Sequence, residues 1–346
     1  NSLPKYCDLI PMPKQIYKRM LPDLVRQAKS WTDKNKKLTT AIVHLLEKKA
    51  IPELIHINNR IREKPANTAS FLTEFLSSAD GIALSLQGPP GTGKTTVTGE
   101  LIARLIDKNQ SIVVSSQTHE AINNLLKSVQ RNAQSLSSTP FVVKLSSGTS
   151  EKSDQRSLSG TKVQALREND LKSKANVLGA TVFSLVKERF GEKPYDLLVV
   201  DEAGQVSLSN LLFMSHCARN ILLVGDQNQL SQPNRAKHPG DSCLSSLDYV
   251  MGEEKVVSAN RGVFLSTSWR MPPVLTSIVS NLFYEGELQS CIYKSENKIL
   301  WDGIEQGLSF EEVEHYSNAS ESKEEIDKIE ELVNKLTGCP YQIVQK

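Results

Sequence analysis

Leu84 to Thr96 reads LSLQGPPGTGKTT. An apolar run turns through three glycines and two prolines, then closes on a lysine and two threonines. Gly88 to Thr95 fits G-x-x-x-x-G-K-[ST], a pattern whose value depends on what flanks it. Upstream, Ile82–Leu86 is short and apolar, as a buried strand requires. Downstream of Lys94, the residues Val97, Leu101, Leu105 and Ile106 recur at helical spacing. Strand, glycine loop and helix therefore come in the required order. Gly88, Gly91 and Gly93 let the backbone wrap a phosphate closely, since no Cβ intervenes. The helix start offers free N–H donors and the positive end of a dipole. Lys94 would sit on the β- and γ-phosphates, and Thr95 would give its hydroxyl to Mg²⁺. The candidate nucleotide-binding set is Gly88, Pro89, Pro90, Gly91, Thr92, Gly93, Lys94, Thr95 and Thr96. A plain structural turn would not need the lysine, so the loop is expected to hold a nucleoside triphosphate.

The chain has 346 residues, more than one ordinary core, so one large domain plus parts of others is expected. Hydrophobic content of 39% and charged content of 23% fit a globular protein. There is no apolar run of about 18 residues, so no membrane partner is expected. The five cysteines, Cys7, Cys217, Cys243, Cys291 and Cys339, stand far apart with no C-x-x-C pair. Reduced thiols and a cytoplasmic location fit that usage better than disulfides or zinc. Net charge is +2, but residues 1–70 carry 14 Lys/Arg against 6 Asp/Glu, whereas residues 301–346 carry 4 against 11. A basic first segment can attract nucleic acid, but charge alone favours the plainer reading of solvated helix faces.

Residues 13–64 read as helical. Ile16, Met20, Leu24, Ala28 and Trp31 share one face, Leu38, Ile42 and Leu45 share another, and Pro52 suits the first turn of a third helix. Phe71–Leu76 is a further short helix. From Ile82 onward strands and helices alternate, with apolar runs at Ile112–Val114, Phe141–Leu145, Leu197–Val200 and Ile221–Val224. That alternation indicates a parallel sheet with helices on both faces. Residues 146–176, rich in Ser, Lys and Asp, read as a long, mobile surface connection followed by a helix start. Near the end, Ser322 and Glu325 suit a capping box. Ile326, Ile329, Leu332, Val333 and Leu336 form a stripe expected to be buried, and Gly338 suits a helix C-terminus.

YDLLVVDEAGQ, Tyr195 to Gln205, supplies a second half-site. An apolar strand ends on two acids, and the carboxyl end of a strand is where ligands sit in an open α/β sheet. Asp201 would hold Mg²⁺ with Thr95, and Glu202 would polarise the attacking water. A polar turn is the other reading of an Asp-Glu pair, but pairing with a phosphate loop favours the catalytic one. NILLVGDQNQL, Asn220 to Leu230, repeats the design, and uncharged Gln229 can bridge a γ-phosphate to a neighbouring surface.

The set QGPPGTGKTT, SSQTHEAINNLL, GATVFSL, VVDEAGQ, GDQNQLSQP and STSWRMPP resembles superfamily 1B helicases. HPGDSCLSSLDYV, RGVFLSTSWRMPP and LFYEGELQS resemble more narrowly the helicase half of bacterial RecB-like nuclease–helicase fusions. The resemblance covers roughly residues 80–346. It implies an α/β P-loop NTPase with a RecA-like parallel sheet, ATP and Mg²⁺ as cofactors, and 5′-to-3′ movement on single-stranded nucleic acid, DNA above RNA. It implies that Thr118, His119 and Thr181 contact nucleic-acid phosphates and that Gln229 couples the γ-phosphate to strand movement. Arg270 would act as an arginine finger, and Trp269 would stack on adenine. Without the resemblance, His119 reads as a capping or surface histidine and Trp269 as a core tryptophan.

The division implied is a helical, stalk-like segment at 1–79, an ATPase lobe at 80–290, and a linker with the start of an incomplete second RecA-like lobe at 291–346. The family's glutamine-containing adenine-reading segment is not evident in residues 65–80. Nothing matches the nuclease half's carboxylate and lysine cluster, which is expected on a longer parent chain. A chain of this extent is expected to hydrolyse ATP slowly alone. The rival reading is a nucleotide-dependent switch or scaffold ATPase that binds partners without unwinding.

Overall fold

A computed structural model describes residues 38–342, apart from 137–138, 147–149, 188, 230–239, 292–297, 300–309, 315–317 and 319–320, together with the isolated positions 22, 25, 26 and 29. The expected stripe of Ile16, Met20, Leu24, Ala28 and Trp31 lies outside the described residues. The chain divides into two compact units, Asn1–Pro89 with Gly93–Leu265, and Pro90–Thr92 with Ser266–Lys346.

The first unit opens with helices α1 (Thr40–Leu46), α2 (Glu53–Glu63, with Pro52 at its N-cap) and α3 (Thr68–Leu76). β1 (Ala83–Gln87) leads into α4 (Lys94–Asp107), β2 (Ile112–Ser115) into α5 (His119–Asn132), and β3 (Val142–Leu145) into α6 (Glu151–Ser157). Then come β4 (Gln164–Leu166), β5 (Val177–Gly179), the short helices α7 (Val182–Leu185) and α8 (Arg189–Glu192), and β6 (Tyr195–Val200). α9 (Leu208–Met214), β7 (Ala218–Gly225), α10 (Ser246–Met251) and β8 (Gly262–Phe264) complete the unit.

The strands form one sheet in the order β4-β3-β5-β2-β6-β7-β1-β8, with every neighbouring pair parallel. Successive strand residues face opposite sides, and both sides are covered. Leu84, Leu86, Ile112, Val114, Leu197 and Val199 pack with α2, α3, α4 and α5. Ala83, Val113, Leu198, Val200, Ile221 and Leu223 pack with α1, α7, α9 and α10. Two covered faces explain why the strands read as unbroken apolar runs. The expected α/β architecture is borne out. The expected surface connection at 146–176 is not, because α6 and the edge strand β4 lie within it. Its strand is short and its helix polar, so neither carries a strong apolar period.

Helix α4 packs closely on α5. A Cβ on Gly99 would lie 2.3 Å from Ser128 Oγ and 3.0 Å from the Ser128 carbonyl carbon, and Ser128 Oγ donates to the Thr95 carbonyl at 3.0 Å. Gly99→Val must push α5 away from the phosphate-loop helix. Overpacking of this kind costs about 1–3 kcal/mol. The midpoint of thermal unfolding is expected to fall by roughly 3–10 °C. An unchanged midpoint in a calorimetric scan would show that the two helices have slack.

The second unit contains β9 (Thr267–Ser268), α11 (Pro273–Phe283) and β10 (Gln289–Ser290), with β10 parallel to β9. β11 (Lys298–Ile299) pairs antiparallel with β12 (Tyr341–Gln342), and α12 (Lys323–Leu336) precedes β12. Ser322 Oγ accepts the Glu325 N–H at 3.2 Å, as the capping signal predicts. The stripe on α12 differs from expectation: Ile326, Ile329 and Val333 are each more than half exposed. Periodicity places apolar residues on one face but does not supply what covers that face.

Candidate functional site

All strands of the large sheet run the same way, so their carboxyl ends share one edge. That edge receives the phosphate loop after β1, Thr118 after β2, Thr181 after β5, Asp201 and Glu202 after β6, and Gln229 after β7. The sequence therefore sends its polar groups to the place where ligands of open α/β sheets bind.

In the loop, Gly91 (φ +80°) and Gly93 (φ +82°) adopt the left-handed conformation that glycine takes without steric cost. Gly93 caps α4, whose first residue is Lys94. The Gly88 N–H donates to the Gly225 carbonyl at 2.9 Å, which ties the loop's start to the end of β7. Lys94 Nζ donates to the Gly88 carbonyl at 2.5 Å, so the lysine folds back across its own loop. Thr95 is half-buried and Thr96 exposed in the first turn of α4.

Asp201 is buried at the end of β6 and Glu202 is half-buried beside it. Burial, helped by the neighbouring charge of Glu202, pushes the Asp201 carboxyl up to about 7. The Glu202 N–H, donating to Asp201 Oδ1 at 3.1 Å, and the Lys94 ammonium oppose that push. Hard oxygen donors of this kind, a carboxylate with a hydroxyl at Thr95, suit Mg²⁺ rather than a soft metal. Among the described residues there is no cluster of three or more His, Cys, Asp or Glu that could hold a metal by itself. Glu202 has φ +54°, a left-handed conformation that costs a residue with a side chain about 1–2 kcal/mol. Close packing enforces it: a Cβ on Gly225 would come within 3.0 Å of the Ala203 nitrogen, and one on Gly204 within 3.1 Å of the Asp226 carbonyl oxygen.

Gln229 Nε2 donates to Asp226 Oδ2 at 3.3 Å, which holds it near the end of β7. Sequence reasoning missed Gln87, the last residue of β1. It is fully buried; its Oε1 accepts the Val257 N–H at 2.7 Å, and its Nε2 donates to Gln227 Oε1 and to the Lys255 carbonyl, both at 2.8 Å. Gln87 thus joins the base of the phosphate loop to the segment that carries Gln229. The signal was present as an amide at the end of a fully buried strand.

Thr118 is exposed, and its hydroxyl accepts the Ala121 N–H at 3.1 Å as the N-cap of α5. Its side chain therefore starts the helix as well as facing solvent. His119 is half-buried with Nδ1 turned inward, and Thr181 is half-buried at the N-cap of α7. In the second unit the Trp269 N–H donates to the Gly91 carbonyl at 2.8 Å, and a Cβ on Gly91 would meet the Arg270 Cβ at 2.4 Å. The Trp269 side chain is 49% exposed, so it is not a core tryptophan. Arg270 is exposed as well.

A parallel sheet covered on both faces, with a phosphate loop and an Asp-Glu pair on one edge, defines the class of P-loop NTPases with a RecA-like core. Residues 67–243 match the AAA domain family, and the chain belongs to that family. It is similar to the regulator of nonsense transcripts 1 of Caenorhabditis elegans, with 23% identity over 303 residues, covering 75% of this chain and 28% of the relative. It is similar to the DNA replication ATP-dependent helicase/nuclease DNA2 of Gallus gallus, with 25% identity over 61% of this chain and 21% of that protein. The ATP-dependent helicase upf1 of Schizosaccharomyces pombe is 25% identical over 61% of this chain and 27% of its own length. The expected kinship with superfamily 1 helicases is borne out; these relatives give no support to the narrower bacterial RecB-like likeness. The chain spans between about a fifth and about three-tenths of the length of these relatives. Among the described residues no helix is long and apolar enough to cross a membrane.

Proposed function

We propose that this chain carries the first ATPase lobe of a helicase or translocase that moves on single-stranded DNA in the 5′-to-3′ direction. The observation that supports it most is the shared sheet edge. Nucleotide-facing residues (Lys94, Thr95, Asp201, Glu202, Gln229) and strand-facing residues (Thr118, His119, Thr181) all follow carboxyl ends of strands in one parallel sheet. A nucleotide and a nucleic-acid strand bound there would be sensed by one rigid element.

In this reading Gly88–Thr96 wraps the phosphates of ATP, and Lys94 exchanges the Gly88 carbonyl for phosphate oxygens. Thr95 and Asp201 would hold Mg²⁺, which neutralises phosphate charge when bound. Glu202 takes the proton of the attacking water. Gln229 reports the γ-phosphate, Arg270 supplies transition-state charge, and the exposed Trp269 ring stacks on the base. Residues 1–79 serve as a stalk-like helical segment, 80–290 as the ATPase lobe, and 291–346 as the start of a second lobe. A nuclease domain on the same parent protein and a cytoplasmic, reducing location belong to this reading. The thiols of Cys217, Cys291 and Cys339, which form no disulfide among the described residues, fit that location.

The test is ATP turnover by the full-length protein with and without single-stranded DNA. Stimulation is expected; turnover indifferent to any nucleic acid would favour a switch ATPase instead. Strand affinity should also fall steeply with salt, because phosphate contacts release counterions. A protein neutralising four to six phosphates of a single strand loses roughly 50–300-fold between 50 and 200 mM salt. Fluorescence anisotropy across that range measures it, and a flat profile would remove the phosphate-reading roles.

A further inference from the structure

Lys144 lies in the middle of β3, in the otherwise apolar run FVVKL, and its side chain is fully buried. A lysine is almost never fully buried unless it is paired. Its Nζ donates to the Leu145 carbonyl at 2.7 Å and lies 3.0 Å from His119 Nδ1 on α5. The counter-charge is Asp154 on α6, with Oδ2 3.7 Å from Lys144 Nζ and 3.5 Å from His119 Nδ1. Asp154 is itself buried and accepts from Ser146 Oγ at 2.7 Å and from Asn123 Nδ2 at 3.0 Å. Three elements thus meet in one closed polar cluster that nucleotide chemistry does not use. Only His119 leads out of it, with 39% of its side chain exposed.

An ammonium has donors and no acceptor. If it donates to His119 Nδ1, that nitrogen must be unprotonated, and the ring proton must sit on Nε2. Nε2 makes no hydrogen bond within the described residues. Lys144 and Asp154 already balance each other's charge, so a second cation in the cluster would be uncompensated. We propose that Lys144, with Asp154 behind it, is a positioning residue that keeps His119 in its neutral Nε2–H form and presents that N–H to a strand phosphate. The imidazole then acts as a directional donor, not as a charge. This inference rests on the reading of His119 as a strand contact.

The pKa directions agree with the geometry. Burial, then the Lys144 charge, holds His119 below its usual range, against the opposing pull of Asp154. Burial brings Lys144 down to about 8, so it still carries its proton at neutral pH. The charged groups that reach the ring are Lys144 from β3 and Asp154 from α6. On its own helix the adjacent carboxylate, Glu120, is exposed.

The test begins on the unmodified protein, with histidines labelled with nitrogen-15 and the His119 signal assigned by its loss in His119→Ala. The signal at pH 7 should be that of a neutral ring protonated on Nε2, and it should titrate below the ordinary histidine range. A ring protonated on Nδ1, or charged at pH 7, would overturn the proposal without any variant having to fold. In Lys144→Met, which keeps the volume, the His119 titration should move upward; an unmoved titration would also overturn it. Strand binding is read separately. His119→Ala should weaken single-stranded DNA binding about threefold to tenfold at pH 7.5, as for loss of one ordinary hydrogen bond at a partly exposed site. The slope of log affinity against log salt should stay unchanged, because a neutral donor releases no counterion. A slope smaller by a whole phosphate contact would show a cationic ring and sink the proposal. A neutral Nε2–H ring with unchanged strand affinity would instead remove His119 from the strand site and leave the tautomer assignment standing.

Discussion

Glu202→Gln is expected to lower ATP turnover by about 10²–10⁴-fold, the range that loss of a positioned general base produces. Affinity for Mg–ATP should stay within about threefold, a difference of less than 1 kcal/mol. The reason lies in the division of labour at the end of β6. In the proposed reading Asp201, buried and directed by the backbone, would belong to the metal position, whereas Glu202 is only half-buried and can meet a water. The glutamine keeps the shape and the hydrogen-bonding reach but cannot take a proton. A second substitution separates chemistry from architecture. Glu202 sits at φ +54°, so Glu202→Gly removes both the carboxylate and the steric cost of that conformation. It should be as inactive as Glu202→Gln yet unfold at no lower temperature. Equilibrium nucleotide binding and single-turnover hydrolysis on both variants decide the matter. If Glu202→Gln loses binding and turnover equally, Glu202 belongs with the metal ligands and the assignment is wrong.

Much of this site could be read from the chain because its residues stand at the ends of strong local signals. LLVV in β6 and ILLV in β7 are buried on both faces, so these apolar runs are unbroken and their ends are sharp. The acids and amides that follow are then placed by topology alone. The signal fails where stability comes from partners distant in sequence. Asp154 is buried because Ser146, Asn123 and Lys144 surround it, and none of those pairings leaves a periodic trace. Helix α6 and strand β4 were hidden for the same reason, being short and polar at the edge of the sheet. Gln87 was overlooked because a single amide after an apolar run reads as the start of a loop, although three hydrogen bonds bury it. The exposed stripe on α12 is the opposite case, a strong period whose partner the pattern does not specify. Trp269 shows a further limit. Sequence left core packing and base stacking both open, and its exposure removes only the first.

Lys94→Ala is expected to weaken Mg–ATP binding by about 10–150-fold, the worth of a hydrogen bond between charged groups removed from a partly enclosed site. Turnover should fall further, since the same ammonium faces the charge that develops in the transition state; loss of one such donor costs about 10²–10³ in rate. Two features of the loop make the effect large. Lys94 Nζ rests on the Gly88 carbonyl at 2.5 Å, so the side chain is already folded over the phosphate position and little freedom is lost when the nucleotide arrives. The same ammonium opposes the upward push on the Asp201 carboxyl, so its loss leaves that group less ready to ionise. Lys94→Arg should not restore binding, because a planar guanidinium cannot take the place of a compact ammonium inside a loop closed by Gly91 and Gly93. The fold should survive, as Lys94 is only half-buried at the first residue of its helix. Calorimetric titration with Mg–ATP beside a thermal unfolding scan separates the two effects. Wild-type affinity in a normally folded Lys94→Ala protein would mean that the loop holds something other than a triphosphate.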